Sequence, residues 1–275
     1  MDNTINFGVD LGTTNSAIAK FVKGEVIVFN NPQDYGRATL PSVVSFRRNA
    51  IIVGSRAKTY QEKDPKDVVG LFKRKMGTSE SFQIKSLNES KTPIELSAQV
   101  IKELKTFVNT NDTLDAVVIT VPASFDLIQS NATKEAGYQA GFKQVVLLQE
   151  PIAASLAYAN MKKTNDLTDG QWLVYDLGGG TFDVALVKIA DGEMKIIDHE
   201  GNNFLGGIDF DQLIVEKLII PKLNAEYVFE NLEEDLKSAS GKYNAKYCML
   251  LNLAEGAKIH LSAVSSADIF IEGFD

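Results

Sequence analysis

A single cysteine, Cys248, stands in the 275 residues, together with two histidines and one tryptophan. One thiol excludes an intramolecular disulfide and fits a reducing compartment, so a cytoplasmic location is expected. With His199 and His260 as the only imidazoles, multi-cysteine and histidine-rich metal centres have too few ligands to form. No run of about 18 apolar residues occurs, so no membrane span is expected. The opening MDNTINFGVD has no basic leader and no long apolar core, and it does not read as a secretion signal. Positive charge is also scarce. Lys and Arg number 28 against 36 Asp and Glu, a net charge of −8, and the largest basic cluster is Lys73 to Lys75. No nucleic-acid partner is therefore expected. An acidic chain can still hold phosphates where backbone N–H groups and Mg²⁺ supply the local positive charge.

What is present is ordinary in bulk and unusual in pattern. Apolar residues at 44% and charged residues at 23% suit a soluble globular chain with room for one large domain or two lobes. The segment FGVDLGTTNSAIAKF (Phe7 to Phe21) reads apolar strand, Asp-Leu-Gly, small polar turn, apolar strand. VYDLGGGTFDVALV (Val174 to Val187) reads the same way. Each opens a meander of short strands, over 6–29 and again over 172–199. A hairpin is expected at 42–53, a helix at 55–62 and a second helix up to residue 76, with Gly77 closing it. Helices follow at 97–107, 129–141 and 151–159, and strands at 116–121 and 144–148. The polar segment 161–170 is the expected boundary between lobes. Beyond Gly207 the chain reads helical to 259, then as one strand at 268–271. An internal duplication of this kind implies two similar α/β lobes facing across a cleft.

The repeated turns suggest chemistry. Gly178, Gly179 and Gly180 let backbone N–H groups approach an anion. Asp176 just before them would repel a phosphate unless a cation such as Mg²⁺ lay between. Asp10 stands in the same relation to Gly12, Thr13, Thr14 and Asn15. The competing reading is two tight turns with Asp as a turn residue. No G-x-x-x-x-G-K-[ST] stretch is present, so this is not a P-loop. Small residues recur at Ala132, Ala136 and Ala140, and at Ala153, Ala154 and Ala157, which would let two helices cross closely or simply fill a tight core.

Taken in order, VDLGTTNSAIAKF, VVITVPASF, ATKEAGYQAGF, LLQEPIAASLAYA, YDLGGGTFDVALV, FLGGIDFDQLIV and LAEGAKIHLS resemble the ATPase domain of the seventy-kilodalton heat-shock chaperones. That domain belongs to the actin, hexokinase and sugar-kinase superfamily. The resemblance runs from Val9 to Ser262. It implies two actin-like lobes, each a ribonuclease-H-like β-meander with helices, around a nucleotide cleft. Lobe I would cover 1–165, with a small inserted subdomain at about 39–95. Lobe II would cover 166–275 and be incomplete at its C-terminal end. It implies ATP or ADP with Mg²⁺ as ligands, Asp10 and Asp176 holding the metal through its waters. Thr13, Thr14 and Asn15 would meet the β- and γ-phosphates, and Gly178, Gly179, Gly180 and Thr181 would cradle them from the other side. Lys73 would orient the γ-phosphate and attacking water. Glu150, Thr181 and Asp183 would position that water. Glu255, Lys258 and Ser262 would grip ribose and adenine, and Gly206 and Gly207 would form a further loop at the nucleotide.

Local physics leaves alternatives open for several of these residues. Lys73 would suit the last turn of a helix, and Glu150 a first turn, through the dipole alone. Asp183 could face solvent. Lys258 and Ser262, four apart on an expected helix, share a face as many surface pairs do. Ile208 stands where the family usually has an acid, which removes one expected polar contact across the top of the cleft. The resemblance implies ATP hydrolysis coupled to binding of unfolded polypeptide through a domain beyond this chain. A J-domain co-chaperone and a nucleotide-exchange factor would be its partners. An actin-like assembly or scaffold protein is the alternative, and a small-metabolite kinase a third reading.

Overall fold

A computed structural model describes residues 5–47, 50–161, 169–238 and 241–274. The chain opens with β1 (Phe7–Leu11), β2 (Asn15–Val22) and β3 (Glu25–Val28), a meander as the alternation indicates. Then follow β4 (Leu40–Pro41), β5 (Val43–Arg47), β6 (Ala50–Val53) and α1 (Ser55–Lys63). After α1 the structure departs from expectation. Instead of a helix reaching residue 76 there is a short strand, β7 (Val68–Gly70), and a 3-10 turn over Phe72–Lys75. Asp67 and Leu71, with φ of 56° and 58°, break the helical path on either side of Val68 and Val69. These β-branched residues pair instead with β5. Gly77, at φ 79°, does close the segment, and a Cβ there would lie 3.0 Å from backbone atoms of Gln129.

The hairpin β8 (Phe82–Ile84) and β9 (Glu89–Lys91) leads to α2 (Pro93–Lys105). β10 (Ala116–Val121), α3 (Leu127–Gln139), β11 (Gln144–Gln149) and α4 (Glu150–Met161) follow. α2 and α3 begin with capping boxes, Thr92 with Glu95 and Asp126 with Gln129. The expected boundary segment falls mainly on 162–168, outside the described residues. The meander then restarts as β12 (Gly170–Leu177), β13 (Phe182–Ala190) and β14 (Glu193–Asn202). Helices α5 (Gly207–Ile214), α6 (Ile220–Glu226), α7 (Leu232–Lys237) and α8 (Asn244–His260) complete the order, with a π-helical turn over Val215–Ile219 joining α5 to α6. Residues 268–271 form no ladder among the described residues. Ile269 and Ile271 nevertheless pack on the core beneath α8, so the alternation marks burial without strand pairing.

Among the described residues the first sheet takes the order β11-β10-β1-β2-β3, with β4 also on β2. β10 runs parallel to both β1 and β11, and α3 is the crossover between β10 and β11. The second meander forms a sheet of β12, β13 and β14. A large core under the first sheet includes Val9, Ile18, Leu96, Ile101, Val117 and Ile119, and a separate one unites α6, α7 and α8 through Leu223, Leu236 and Leu250. Ala132, Ala136 and Ala140 are buried where α3 packs on α2, β10 and β11. Ala154 and Ala157 are exposed, so α4 offers no matching packed stripe. α4 lies instead against β10 and β11 of one sheet and all of the other, and thus bridges the two meanders.

Candidate functional site

The two Asp-Leu-Gly turns face each other. In the first, the Gly12 N–H donates to Ser16 Oγ at 3.1 Å and the Ser42 hydroxyl donates to the Gly12 carbonyl at 2.8 Å. In the second, the Gly178 N–H donates to the Thr181 carbonyl at 2.9 Å. A Cβ on Gly179 would fall 2.1 Å from Thr14 Oγ1, and one on Gly180 2.3 Å from Thr13 Cγ2. The triple glycine is thus what permits the threonine turn to press against it. A third backbone joins them: the N–H groups of Gly207 and Ile208 donate to the carbonyls of Gly178 and Gly179 at 3.0 and 2.9 Å. A Cβ on Gly206 would lie 2.5 Å from the Gly180 nitrogen.

Behind the turns stands a group of acids around one lysine. Asp176 and Asp183 sit opposite each other in the β12–β13 ladder. Asp10 accepts the Thr120 hydroxyl at 2.9 Å. Lys73, 3% exposed, is carried by the 3-10 turn and donates to Glu150 Oε1 at 3.0 Å. Its Nζ also stands 5.6 Å from the Phe125 ring centroid. Glu150 begins α4 directly after β11. Burial pushes the Glu150 carboxyl above the usual carboxylate range, opposed by Lys73 and reinforced by Asp10 and Asp176. Burial also raises Asp176, and the charges of Asp183 and Asp10 add to it. The mutual fields of Asp10, Asp176 and Glu150 place carboxylates from both meanders in one neighbourhood. Asp183 is 4% exposed, which excludes the solvent-facing reading, and its Oδ1 has no hydrogen-bond partner among the described residues.

On the other side of the turns opens a cavity of about 440 Å³. Thr13, Thr14, Asn15, Gly178, Gly179 and Gly207 form its polar end. One stripe of α8, with Cys248, Leu251, Asn252, Glu255 and Lys258 spaced at helical intervals, forms a side wall. Lys258 donates to the Gly207 carbonyl at 2.6 Å and pairs with Asp211 at 2.7 Å. Burial raises the Asp211 carboxyl, and the Lys258 ammonium works against that rise. Glu255 meets Lys58 of α1 at 2.7 Å across the cavity. Ser262 lies beyond the end of α8, is exposed and is not part of the cavity lining, so the expected shared helical face with Lys258 does not exist.

Sequence reasoning missed two contacts. Arg74 donates through Nε to the Gly180 carbonyl at 2.9 Å and forks onto both carboxylate oxygens of Asp209. Asp209 thereby makes a polar link across the turns although Ile208 precedes it. Lys58 was the other omission, because an exposed-looking lysine on α1 carries no local sign of its distant partner. The charge run Lys73 to Lys75 was visible, but not that adjacent members of a 3-10 turn point to different partners.

The donor chemistry fits a hard divalent cation. Among the described residues no group of three or more His, Cys, Asp or Glu is placed to ligate a metal directly. Asp10 and Asp176, with the unpartnered Asp183 oxygen, suit Mg²⁺, which keeps several waters and shares ligands with phosphate. Among the described residues no helix is long and apolar enough to cross a membrane.

Paired Asp-bearing meanders bridged by a helix and set against a cavity define the actin-like α/β class. The family model described as Hsp70 protein matches residues 6–274, and the chain belongs to that family. It is similar to the chaperone protein DnaK of Ureaplasma urealyticum, 38% identical over 98% of the chain. It is also similar to that of Mycoplasmoides gallisepticum, 40% identical over 95%. In both cases the chain spans 42% of the relative's length.

Proposed function

We propose that the chain is the nucleotide-binding part of a chaperone ATPase, with ATP or ADP and Mg²⁺ seated where the two turns meet the cavity. The observation that carries this reading is the close approach of Gly179 to Thr14, which brings both glycine-bearing turns and their threonines to one end of a pocket of nucleotide size. Thr13, 6% exposed with its Oγ1 lacking a hydrogen-bond partner among the described residues, fits a group awaiting a phosphate oxygen. Gly12, Thr14, Asn15, Gly178, Gly180 and Thr181 would complete the phosphate cradle. Glu255 and Lys258 would hold ribose and base, with Gly206 and Gly207 bordering them. Ser262 would need to move to contribute. Mg²⁺, held by Asp10 and Asp176, would neutralise charge on the phosphates.

Phosphoryl transfer requires positioning and charge neutralisation more than covalent help. Lys73 brings a fixed positive charge to the γ-phosphate. Glu150, Thr181 and Asp183 orient the attacking water, and a raised carboxyl such as Glu150 can take up its proton. The relatives' name supports extending the reading to a chaperone whose nucleotide state governs its hold on unfolded polypeptide. A J-domain co-chaperone and an exchange factor are its expected helpers, and the cytoplasm its expected compartment. Calorimetry of Mg-ADP tests the core claim: binding by the wild type and at least about tenfold weaker binding by Asp176→Asn supports it. Equal binding by the two proteins contradicts the assigned metal role.

A further inference from the structure

β1 and β10 run parallel, with Gly8 opposite Val118 and Val9 opposite Ile119. One step further along each strand stand Asp10 and Thr120. Val9, Leu11, Ile119 and Val121 are buried, so alternation turns Asp10 and Thr120 together to the other face of the sheet, near the C-terminal ends of both strands. There the Thr120 hydroxyl donates to Asp10 Oδ1 at 2.9 Å. Among the described residues Oδ2 of the same carboxylate has no hydrogen-bond partner.

The strand does not require a hydroxyl at this position. Val118, two residues earlier on the same face of β10, is apolar, and valine shares the branched shape and the β-propensity of threonine. What the hydroxyl adds is orientation. The terminal torsion of an aspartate is broad and two-fold, so a carboxylate without a donor samples several settings. A neutral donor selects one of them and leaves the negative charge in place. Glu150 is anchored differently, by the Lys73 ammonium, which offsets its charge. Of these two carboxylates, Asp10 is the one fixed without a counter-charge and kept available to a cation.

We propose that Thr120 is a positioning residue for the metal: its hydroxyl sets the Asp10 carboxylate for Mg²⁺ and so strengthens the metal-dependent part of nucleotide binding. The inference rests on the nucleotide reading above and extends it to a residue outside both glycine-bearing turns. Mg²⁺ tolerates little departure from octahedral geometry. Groups that orient a metal's carboxylates are worth about 10- to 100-fold in metal affinity. Thr120 acts through Asp10 and is not itself a ligand.

The test compares ADP affinity in excess Mg²⁺ with ADP affinity in EDTA, both by calorimetry on the 275-residue chain. The ratio isolates what the metal contributes, whereas a general loss of structure lowers both affinities alike. In the wild type the ratio should be well above one. Thr120→Val should lower it about tenfold and leave the EDTA affinity unchanged. Thr120→Ser retains the donor and should keep the wild-type ratio. Thr120→Ala is a second hydroxyl-free variant and should repeat the valine result. A wild-type ratio in the hydroxyl-free variants, an equal fall in both affinities, or a serine ratio as low as that of valine overturns the inference while the nucleotide reading stands. Failure of both hydroxyl-free variants to fold makes Thr120 structural and overturns it as well. If the wild type binds no ADP, the nucleotide reading fails; if it binds ADP equally with and without Mg²⁺, the metal role of Asp10 fails. Either result removes this inference too.

Discussion

Lys73 and Glu150, 77 positions apart in sequence, meet at 3.0 Å. The lysine comes from the 3-10 turn that follows β7 and the glutamate from the first residue of the helix that bridges both meanders. Neither depends on the other for its local structure, so the pair can be cut without unravelling an element. Lys73→Ala is expected to slow single-turnover release of phosphate from radiolabelled ATP by about 100-fold or more, the scale for removal of one positioned charge. Nucleotide affinity should change only a few-fold, read by calorimetry on the same protein. Loss of binding in parallel with loss of turnover would instead assign the lysine to ground-state grip.

Asp176 faces Asp183 across the β12–β13 ladder, and its carboxyl is held above the ordinary value by burial, Asp183 and Asp10. A raised folded-state value means that the native protein holds this proton more tightly than the unfolded chain. The associated stability is fully present below the ordinary aspartate value of 3.8 and is lost as pH rises through the raised value. Asp176→Asn removes the repulsion, so without nucleotide it should melt higher at neutral pH. Partial exposure of the group limits the gain to about 2 °C. The gain should fade in acid. Thermal scans from pH 3 to 8 (roughly the window in which carboxylates titrate) check it, and a gain independent of pH would remove the electrostatic explanation.

Arg74 donates to Gly180 and forks onto Asp209, fastening the glycine turn to the first turn of α5. A lysine has the charge but lacks the planar fork. Arg74→Lys is therefore expected to hasten Mg-ADP dissociation by about 3- to 10-fold, corresponding to about 1 kcal/mol of lost bidentate geometry. Stopped-flow release of a fluorescent ADP analogue measures this, and an unchanged rate would separate the fork from nucleotide retention.

Gly206 offers a backbone test. Its missing Cβ would stand 2.5 Å from the Gly180 nitrogen, against main chain that cannot swing aside. Gly206→Ala should push the α5 loop off the glycine turn and weaken Mg-ADP binding by about tenfold or more, at a cost of about 1–3 kcal/mol in overpacking. Far-UV circular dichroism should remain that of the wild type, which distinguishes a displaced loop from general unfolding.

Much of the architecture could be read from residue order because it depends on local pattern. Both meanders, the β10 strand at Ala116–Val121 and the Gly77 stop follow from alternation, β-branching and turn chemistry. The segment before Lys73 was misread because Val68 and Val69 pair with β5, a partner 25 residues back that no helical periodicity reports. At 268–271 the alternation was real, but alternation records which side chains are buried and not whether a neighbouring strand is present to pair. The site was partly legible. Asp10 and Asp176 announce themselves by repetition, whereas Arg74 with Asp209 and Lys58 with Glu255 are long-range contacts between residues that look like solvated charge. Family resemblance could not supply Ser262 with a place in the cavity, since the end of α8 lies two residues before it.

The closure at Gly77 gives the lysine turn a mechanical footing. On its far side is the capped start of α3, where Asp126 and Gln129 fix one another. The Lys73 ammonium is thus mounted on a short bracket whose foot rests on a rigid post, and any side chain at 77 would act as a shim between them. A substitution at this spot would touch no phosphate and break no ion pair. It would still displace the tip of Lys73, so tolerance at a plain surface-looking glycine is governed by the alignment tolerance of the chemistry on the other side of the turn.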